Sequence, residues 1–286
     1  MPTKISWCDE TINPVVGCSK VSDGCKNCYA ESMASRLAAM GFVQYKHVTN
    51  DGSGSYKKWN GKTGFVPSEL EKPYKWKKPR SIFISSMGDL FHETVPFEWV
   101  NSIVVTIGRL PRHTFIVLTK RAGRMQEFFS SLYNDSPLSN LVLGVSVENQ
   151  QEADKRIPLL LKIPAAKRFV SLEPMLGPVD LTRLVIKLSD APERGKPDVS
   201  IDALTGWHGG ANRPEVTRLD GVILGGESGS KGRRLDPQWV ISVRDQCKYA
   251  GVPFMFKQWS YENRNEVDPA TGFPWLGDCT HSELAW

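Results

Sequence analysis

Nowhere in the chain do eighteen apolar residues run together, and the opening MPTKISWCDE has no basic segment leading into an apolar one. The first absence excludes a transmembrane helix and the second a secretory leader, so a cytoplasmic protein without membrane contact is expected. Histidine is sparse, 5 in 286 residues. His92, in Asp89-Leu-Phe-His-Glu93, is a candidate acid or base, with a local hydrogen bond at a helix start as the plainer role; the other four show no partner pattern. There is no internal repeat and no low-complexity tract, and the glycine-rich run Gly225–Gly229 lacks the Lys-Ser or Lys-Thr pair of a phosphate loop, which argues against nucleotide hydrolysis. Neither sign of charge dominates: 36 Lys and Arg against 31 Asp and Glu leave +5, which permits nucleic-acid binding without requiring it.

What is there, 40% hydrophobic and 23% charged residues, is enough to bury a full core. Short β-branched runs read as buried strands at Ser81–Ser85, Thr114–Leu118, Leu141–Val147, Arg168–Leu172, Gly221–Leu224 and Pro253–Lys257, with a first strand over Thr11–Val16. Helical stretches at Ala30–Met40, Phe97–Leu110, Arg121–Tyr133, Gln151–Lys162 and Pro237–Ala250 alternate with them. Such alternation predicts a parallel sheet, either a complete or partial TIM-like (βα) barrel or a doubly wound open sheet. The chain reads as a single α/β domain over residues 1–286, with insertions at about 43–79 and 189–218 and an irregular tail from about 260.

Six cysteines are unevenly spread: Cys18, Cys25 and Cys28 share one Gly-containing loop, while Cys8, Cys247 and Cys279 lie scattered. Crowded thiols in a cytosolic chain point to metal or redox chemistry. Three thiolates on a four-iron cluster leave one iron open to a small molecule. The competing reading is structural zinc, with Cys8 closing a tetrahedron.

Polar residues recur just past the apolar runs, where a barrel presents its chemistry: Ser85, Ser86 and Asp89; Thr119 and Lys120; Ser146 and Glu148; Ser171 and Glu173; and Lys257 and Gln258 at the last strand. Gly225-Gly-Glu-Ser-Gly229, containing Glu227 and followed by Arg233 and Arg234, has the composition of a phosphate cradle. From Tyr56 to Arg80, Lys57, Lys58, Lys62, Lys72, Lys75, Lys77 and Lys78 interleave with Trp59, Phe65, Tyr74 and Trp76. Cations for phosphates and rings for bases make a single-strand platform, against the alternative of a solvated loop whose rings seal the barrel.

The stretches Thr11–Cys18, Ser22–Glu31, Met87–His92, Leu118–Arg121, Gly144–Glu148, Ser171–Gly177, Gly225–Gly229 and Phe256–Trp259 together resemble the phage Gp37/Gp68 family, the three-Cys-motif proteins. That family looks related to radical S-adenosylmethionine enzymes and particularly to spore photoproduct lyase. The resemblance implies a [4Fe-4S] cluster on Cys18, Cys25 and Cys28, a bound S-adenosylmethionine, an external electron donor and a 5′-deoxyadenosyl radical that abstracts hydrogen from a substrate. It further implies a cofactor site drawn from Ser85, Ser86, Asp89, Thr119, Lys120, Ser146, Glu148, Ser171, Glu173 and Glu227. Within it, Lys120 would meet the methionine carboxylate, Glu148 or Glu173 the ribose or adenine, and Ser86 and Asp89 the amine. The first cysteine gap is six residues, longer than the three usual in radical enzymes.

Three functions compete on these grounds. The first is a radical enzyme repairing or modifying a nucleic-acid base, with Lys57, Lys58, Trp59, Arg233, Arg234, Lys257 and Gln258 facing the substrate. The second is a zinc-bearing nucleic-acid-binding protein, and the third a radical enzyme acting on a peptide or small metabolite.

Overall fold

The computed structural model describes residues 3, 5–50, 58–133, 137–186, 199–207 and 217–260. The chain divides into two compact units, Met1–Gly144 with Pro164–Ala166, and Val145–Ile163 with Lys167–Ala285.

The first unit opens with β1 (Glu10–Ile12) and β2 (Val15–Val16). The run expected as one strand is broken by Asn13-Pro14, because proline cannot donate to a ladder. Then follow α1 (Tyr29–Ala39), α2 (Val43–Val48), β3 (Gly64–Phe65), α3 (Lys72–Lys75), β4 (Ser81–Ile84), α4 (Phe97–Gly108), β5 (Thr114–Thr119) and α5 (Ala122–Leu132). Strand β6 (Leu141–Ser146) begins in this unit and ends in the second. The second unit continues with α6 (Gln150–Leu161), β7 (Lys167–Leu172), β8 (Leu184–Ile186), β9 (Val199–Ile201), β10 (Gly221–Gly225), α7 (Pro237–Ala250) and β11 (Phe254–Gln258).

Seven strands form the main sheet in the order β1-β4-β5-β6-β7-β10-β11. The β1–β4, β4–β5, β7–β10 and β10–β11 pairings are parallel. The order follows the chain without reversing, so it has no switch point of the doubly wound kind and is compatible with a partial TIM-like barrel. All of β6 and β10 is buried, as a parallel sheet covered on both faces requires.

The helices present the matching stripes. Val100, Ile103, Val104 and Ile107 of α4 are buried at helical spacing, as are Val240, Val243 and Cys247 of α7. Helix α7 is bounded by its sequence: Asp236 accepts from the Gln238 N–H, Pro237 takes the first turn and Gly251 leaves it at φ 66°. Asn149 caps α6 in the same way.

The expected insertion at 43–79 carries structure of its own: β3 pairs antiparallel with β2, and α2 packs Tyr45 and Val48 against Ala30, Ala34 and Ala38 of α1. In the second expected insertion β8 pairs antiparallel with β9, while 187–198, 208–216 and the tail from 261, with Cys279, lie outside the described residues. Among the described residues no helix is long and apolar enough to cross a membrane.

Candidate metal and cofactor site

The three neighbouring cysteines follow β2. Gly17 turns the chain at φ 90°, and a side chain there would press on the Lys62 carbonyl and Val48. Glycine alone fits this turn without strain, and it delivers Cys18. Cys25 closes a short 3-10 turn over Asp23–Cys25, and Cys28 stands at the N-cap of α1. The loop is tied down at its far side by Lys20, which pairs with buried Glu31 at 3.2 Å.

Arg121, one residue past the expected Lys120, organises the near side. It is buried at the end of β5, and its guanidinium uses every edge. Nε donates to Glu93 at 2.8 Å, Nη1 to Asp89 at 2.9 Å and toward the Cys18 sulfur at 3.6 Å, and Nη2 to the Ser19 hydroxyl at 2.8 Å and carbonyl at 3.2 Å. Asp89 also accepts from Thr119 Oγ1 at 2.7 Å and from the Phe91 N–H, so both of its oxygens are engaged within the protein. His92 completes the group. The Thr94 N–H can only donate, so Nδ1 accepts it, and the Nε2 proton points to Ser19 Oγ at 2.8 Å. Burial and then the Arg121 charge hold His92 below the usual imidazole range, in keeping with this neutral form.

Ser85 and Ser86 lie at the end of β4. Ser86 donates to Asn13 Oδ1 at 3.1 Å. Ser85 sits at φ 62°, buried, and its hydroxyl has no hydrogen-bond partner among the described residues. A strained backbone under an unpaired buried hydroxyl is the kind of feature that clusters at binding sites.

The electrostatics of the thiols follow from burial. Desolvation pushes Cys18 up to about 12, helped by the nearby Asp89 charge and opposed by Arg121. Burial also raises Cys28. Both are therefore neutral thiols near pH 7, and ligation would release their protons. Cys28 is close enough to Cys18 and to Cys25 for their thiolate charges to oppose one another. Among the described residues no three His, Cys, Asp or Glu side chains are arranged to hold a single metal ion. Cys8, the fourth ligand of the zinc reading, is buried with its thiol directed at the Ile5 carbonyl. An iron–sulfur cluster binds its thiolates through separate irons, so they need not meet at one point.

The second unit gathers the other strand-end residues. Glu148 is fully buried and held by Arg156 at 2.8 Å; Arg156 also donates to the Ser146 carbonyl and pairs with Glu152. Ser146 Oγ donates to the Glu173 carbonyl, Ser171 Oγ to the Glu173 carboxylate, and Lys257 binds that carboxylate at 2.7 Å. Glu227 is buried and gripped by Arg233 through backbone and guanidinium, while Arg234 is exposed. Gln258 donates to the Gly226 carbonyl and to Ser228. The space a side chain at Gly225 or Gly226 would need is taken by Glu173 and by Ser260, so close packing within the chain accounts for these glycines.

Of the basic aromatic stretch, Lys57 lies outside the described residues, and Lys58, Lys62, Lys72, Lys75, Lys77 and Lys78 are exposed. The rings behave differently. Trp59 packs on the α1–α2 core, Phe65 stacks on Trp99 at 5.1 Å, Trp76 meets His113 edge-on, and Tyr74 is exposed.

Arg121, Ser19, Glu93 and Arg156 were not singled out in the sequence. Arg121 had a signal: a cation directly after a polar strand end, facing two acids, Asp89 and Glu93, four residues apart. Arg156 had none beyond its place on a helix face.

A family model described as "Protein of unknown function (DUF5131)" matches residues 2–280. The Gp37/Gp68 name is not the one this match carries. No curated protein matches the chain. A solved structure of a spore photoproduct lyase mutant is similar at a TM-score of 0.40 and 13% identity, over 61% of this chain and 48% of that one, about half its length.

Proposed function

From the premise that the chain belongs to the DUF5131 family, we propose that it is an iron–sulfur enzyme of the radical S-adenosylmethionine class that acts on nucleic acid. The observation that carries this reading is the Cys18–Cys28 loop, three part-buried thiols at the head of a parallel α/β sheet with a buried guanidinium against the first sulfur. Cys18, Cys25 and Cys28 would hold the cluster, and an external protein or small molecule would deliver the electron. When bound, the cluster and adenosylmethionine supply one-electron chemistry that ends in hydrogen abstraction.

The chain's own residues bind and orient. Lys120, at the end of β5, is assigned to the methionine carboxylate. Asp89 is occupied by Arg121 and Thr119, so the amine side falls to Ser86 and to the unpaired hydroxyl of Ser85. The exposed lysines between Lys58 and Lys78 would neutralise phosphates, and a base held in a duplex would have to be flipped out to reach the site.

Anaerobic reconstitution with iron and sulfide, followed by reduction in the presence of S-adenosylmethionine, tests the class. Brown protein that forms 5′-deoxyadenosine, with both properties lost in Cys25→Ala, is the expected result. Colourless protein holding one zinc would overturn it in favour of the binding module. Binding of single-stranded DNA that weakens with salt, and weakens further in a Lys58→Gln/Lys62→Gln/Lys77→Gln variant, supports the nucleic-acid substrate; salt-independent binding points to a peptide or metabolite.

A further inference from the structure

We propose that Arg121 is the positioning residue for the first cluster ligand, a clamp that sets where the Cys18 sulfur stands. The inference rests on the cluster reading above but is carried by a separate observation. One guanidinium joins three distant parts of the chain: the cysteine loop through Ser19 and Cys18, the segment after β4 through Asp89 and Glu93, and the end of β5 that bears it. The Ser19 hydroxyl is held a second time, by His92.

The geometry does two things. The fork fixes the backbone next to Cys18, since Nη2 binds both the Ser19 carbonyl and its hydroxyl at 3.2 and 2.8 Å. The charge sits 3.6 Å from the Cys18 sulfur. Glu93 holds the guanidinium through Nε, and Asp89 holds it through Nη1, the nitrogen that also points to the thiol; with Asp89 engaged on both oxygens, its charge is committed to Arg121 and Thr119. Lysine could supply the charge but not the fork. Fork and charge are thus separable by substitution.

The experiment uses the full chain as wild type, Arg121→Lys, Arg121→Gln and Asp89→Asn/Arg121→Gln, the last removing both buried charges together so that no uncompensated carboxylate confounds folding; circular dichroism checks the fold. Three readouts are taken: alkylation of Cys18 relative to Cys28 in metal-free protein, by mass spectrometry; iron retained per chain under a chelator after anaerobic reconstitution; and the midpoint potential of the cluster. Losing hydrogen bonds to a charged group should expose Cys18 to alkylation about tenfold faster in Arg121→Lys and in the double variant, with Cys28 unchanged. Iron should be held about ten- to a hundredfold more weakly in both. The potential should fall in Arg121→Gln and stay near wild type in Arg121→Lys and in the double variant, because a nearby cation favours the reduced, more negative cluster and only Arg121→Gln changes the net charge beside it.

Unchanged relative alkylation of Cys18 in a folded double variant overturns the clamp, as does equal iron retention at an equal potential. If the wild type takes up no iron while Cys18 alkylation still rises, the cluster reading fails and the clamp on Cys18 stands.

Discussion

Each of the two units buries one arginine between two carboxylates, and the two networks are built differently. Arg156 reaches Ser146, Glu148 and Glu152, all within ten residues of itself. Arg121 reaches Ser19, Cys18, Asp89 and Glu93, up to 103 residues away. The first is a local device: a helix face neutralises the carboxylate at the end of the strand before it, and Glu148 is fully enclosed. The second ends on a thiol and on the irregular loop that carries it. A buried ion pair is weak evidence for function by itself. What separates these two is where the partners come from, and only the long-range network places a nucleophilic atom.

Breaking the local network should cost the most stability. Arg156→Met removes the guanidinium that meets the buried Glu148 carboxylate, and the expected loss is about 3–5 kcal/mol in denaturant unfolding. Iron retention in reconstituted protein should be unaffected. A loss under ~1 kcal/mol, or a loss of iron, would erase the distinction between the networks.

Next comes the turn that delivers Cys18. Gly17→Ala puts a side chain at a left-handed φ and against the Lys62 carbonyl and Val48, and should destabilise the first unit by at least about 2 kcal/mol. Unlike Arg156→Met it should also lower iron retention, because Cys18 moves with the turn.

The pH response is smaller and specific to the first unit. His92 is held below its ordinary value of 6.5, so between that value and its folded one the unfolded chain binds more protons. Stability should fall as pH drops from about 6.5 toward the folded value, and His92→Gln should remove that part of the slope. Glu93 adds its own loss lower down: burial works to raise it, but the Arg121 hydrogen bond and charge outweigh burial and hold it below 4.5. Its contribution is present above 4.5 and lost as pH falls through the folded value. Thermal unfolding from pH 7.5 to 4 reads both, and a flat profile down to pH 5 would contradict the neutral His92 assigned from its hydrogen bonds.

The smallest effect concerns Ser85. Removing a buried hydroxyl that has no partner among the described residues should leave the free protein no less stable, and up to about 1 kcal/mol more so, in Ser85→Ala. The same change should weaken S-adenosylmethionine binding, measured by calorimetry on reconstituted protein. A destabilised Ser85→Ala would show that the hydroxyl serves the fold.

Much of the architecture was legible in the chain. The helix over Pro237–Ala250 was read to the residue, because a proline, an Asp cap and a terminal glycine mark its ends. Six strands were found within two residues at each end, because a short β-branched run bounded by polar residues fits a strand covered on both faces. The misjudged place was a local break, Pro14, which splits the first strand; within the segment expected as an insertion at 43–79, α2 and β3 pack on α1 and β2. At the site, the three cysteines and the polar strand ends stood out by spacing and position alone.

The sequence by itself determined the α/β class, the order of strands and helices, and the loop that carries the thiols, since each rests on periodicity or on neighbours along the chain. Only the tertiary structure decided which charges those strand ends meet. It committed Asp89 to Arg121 and Glu148 to Arg156, tied Glu173 to Lys257, turned Trp59, Phe65 and Trp76 to the protein's own packing, and left the Ser85 hydroxyl with no partner among the described residues. Spacing reports which residues share a face. For Asp89 and Glu173 the partner comes from a segment 32 and 84 residues away, and no local pattern records that distance.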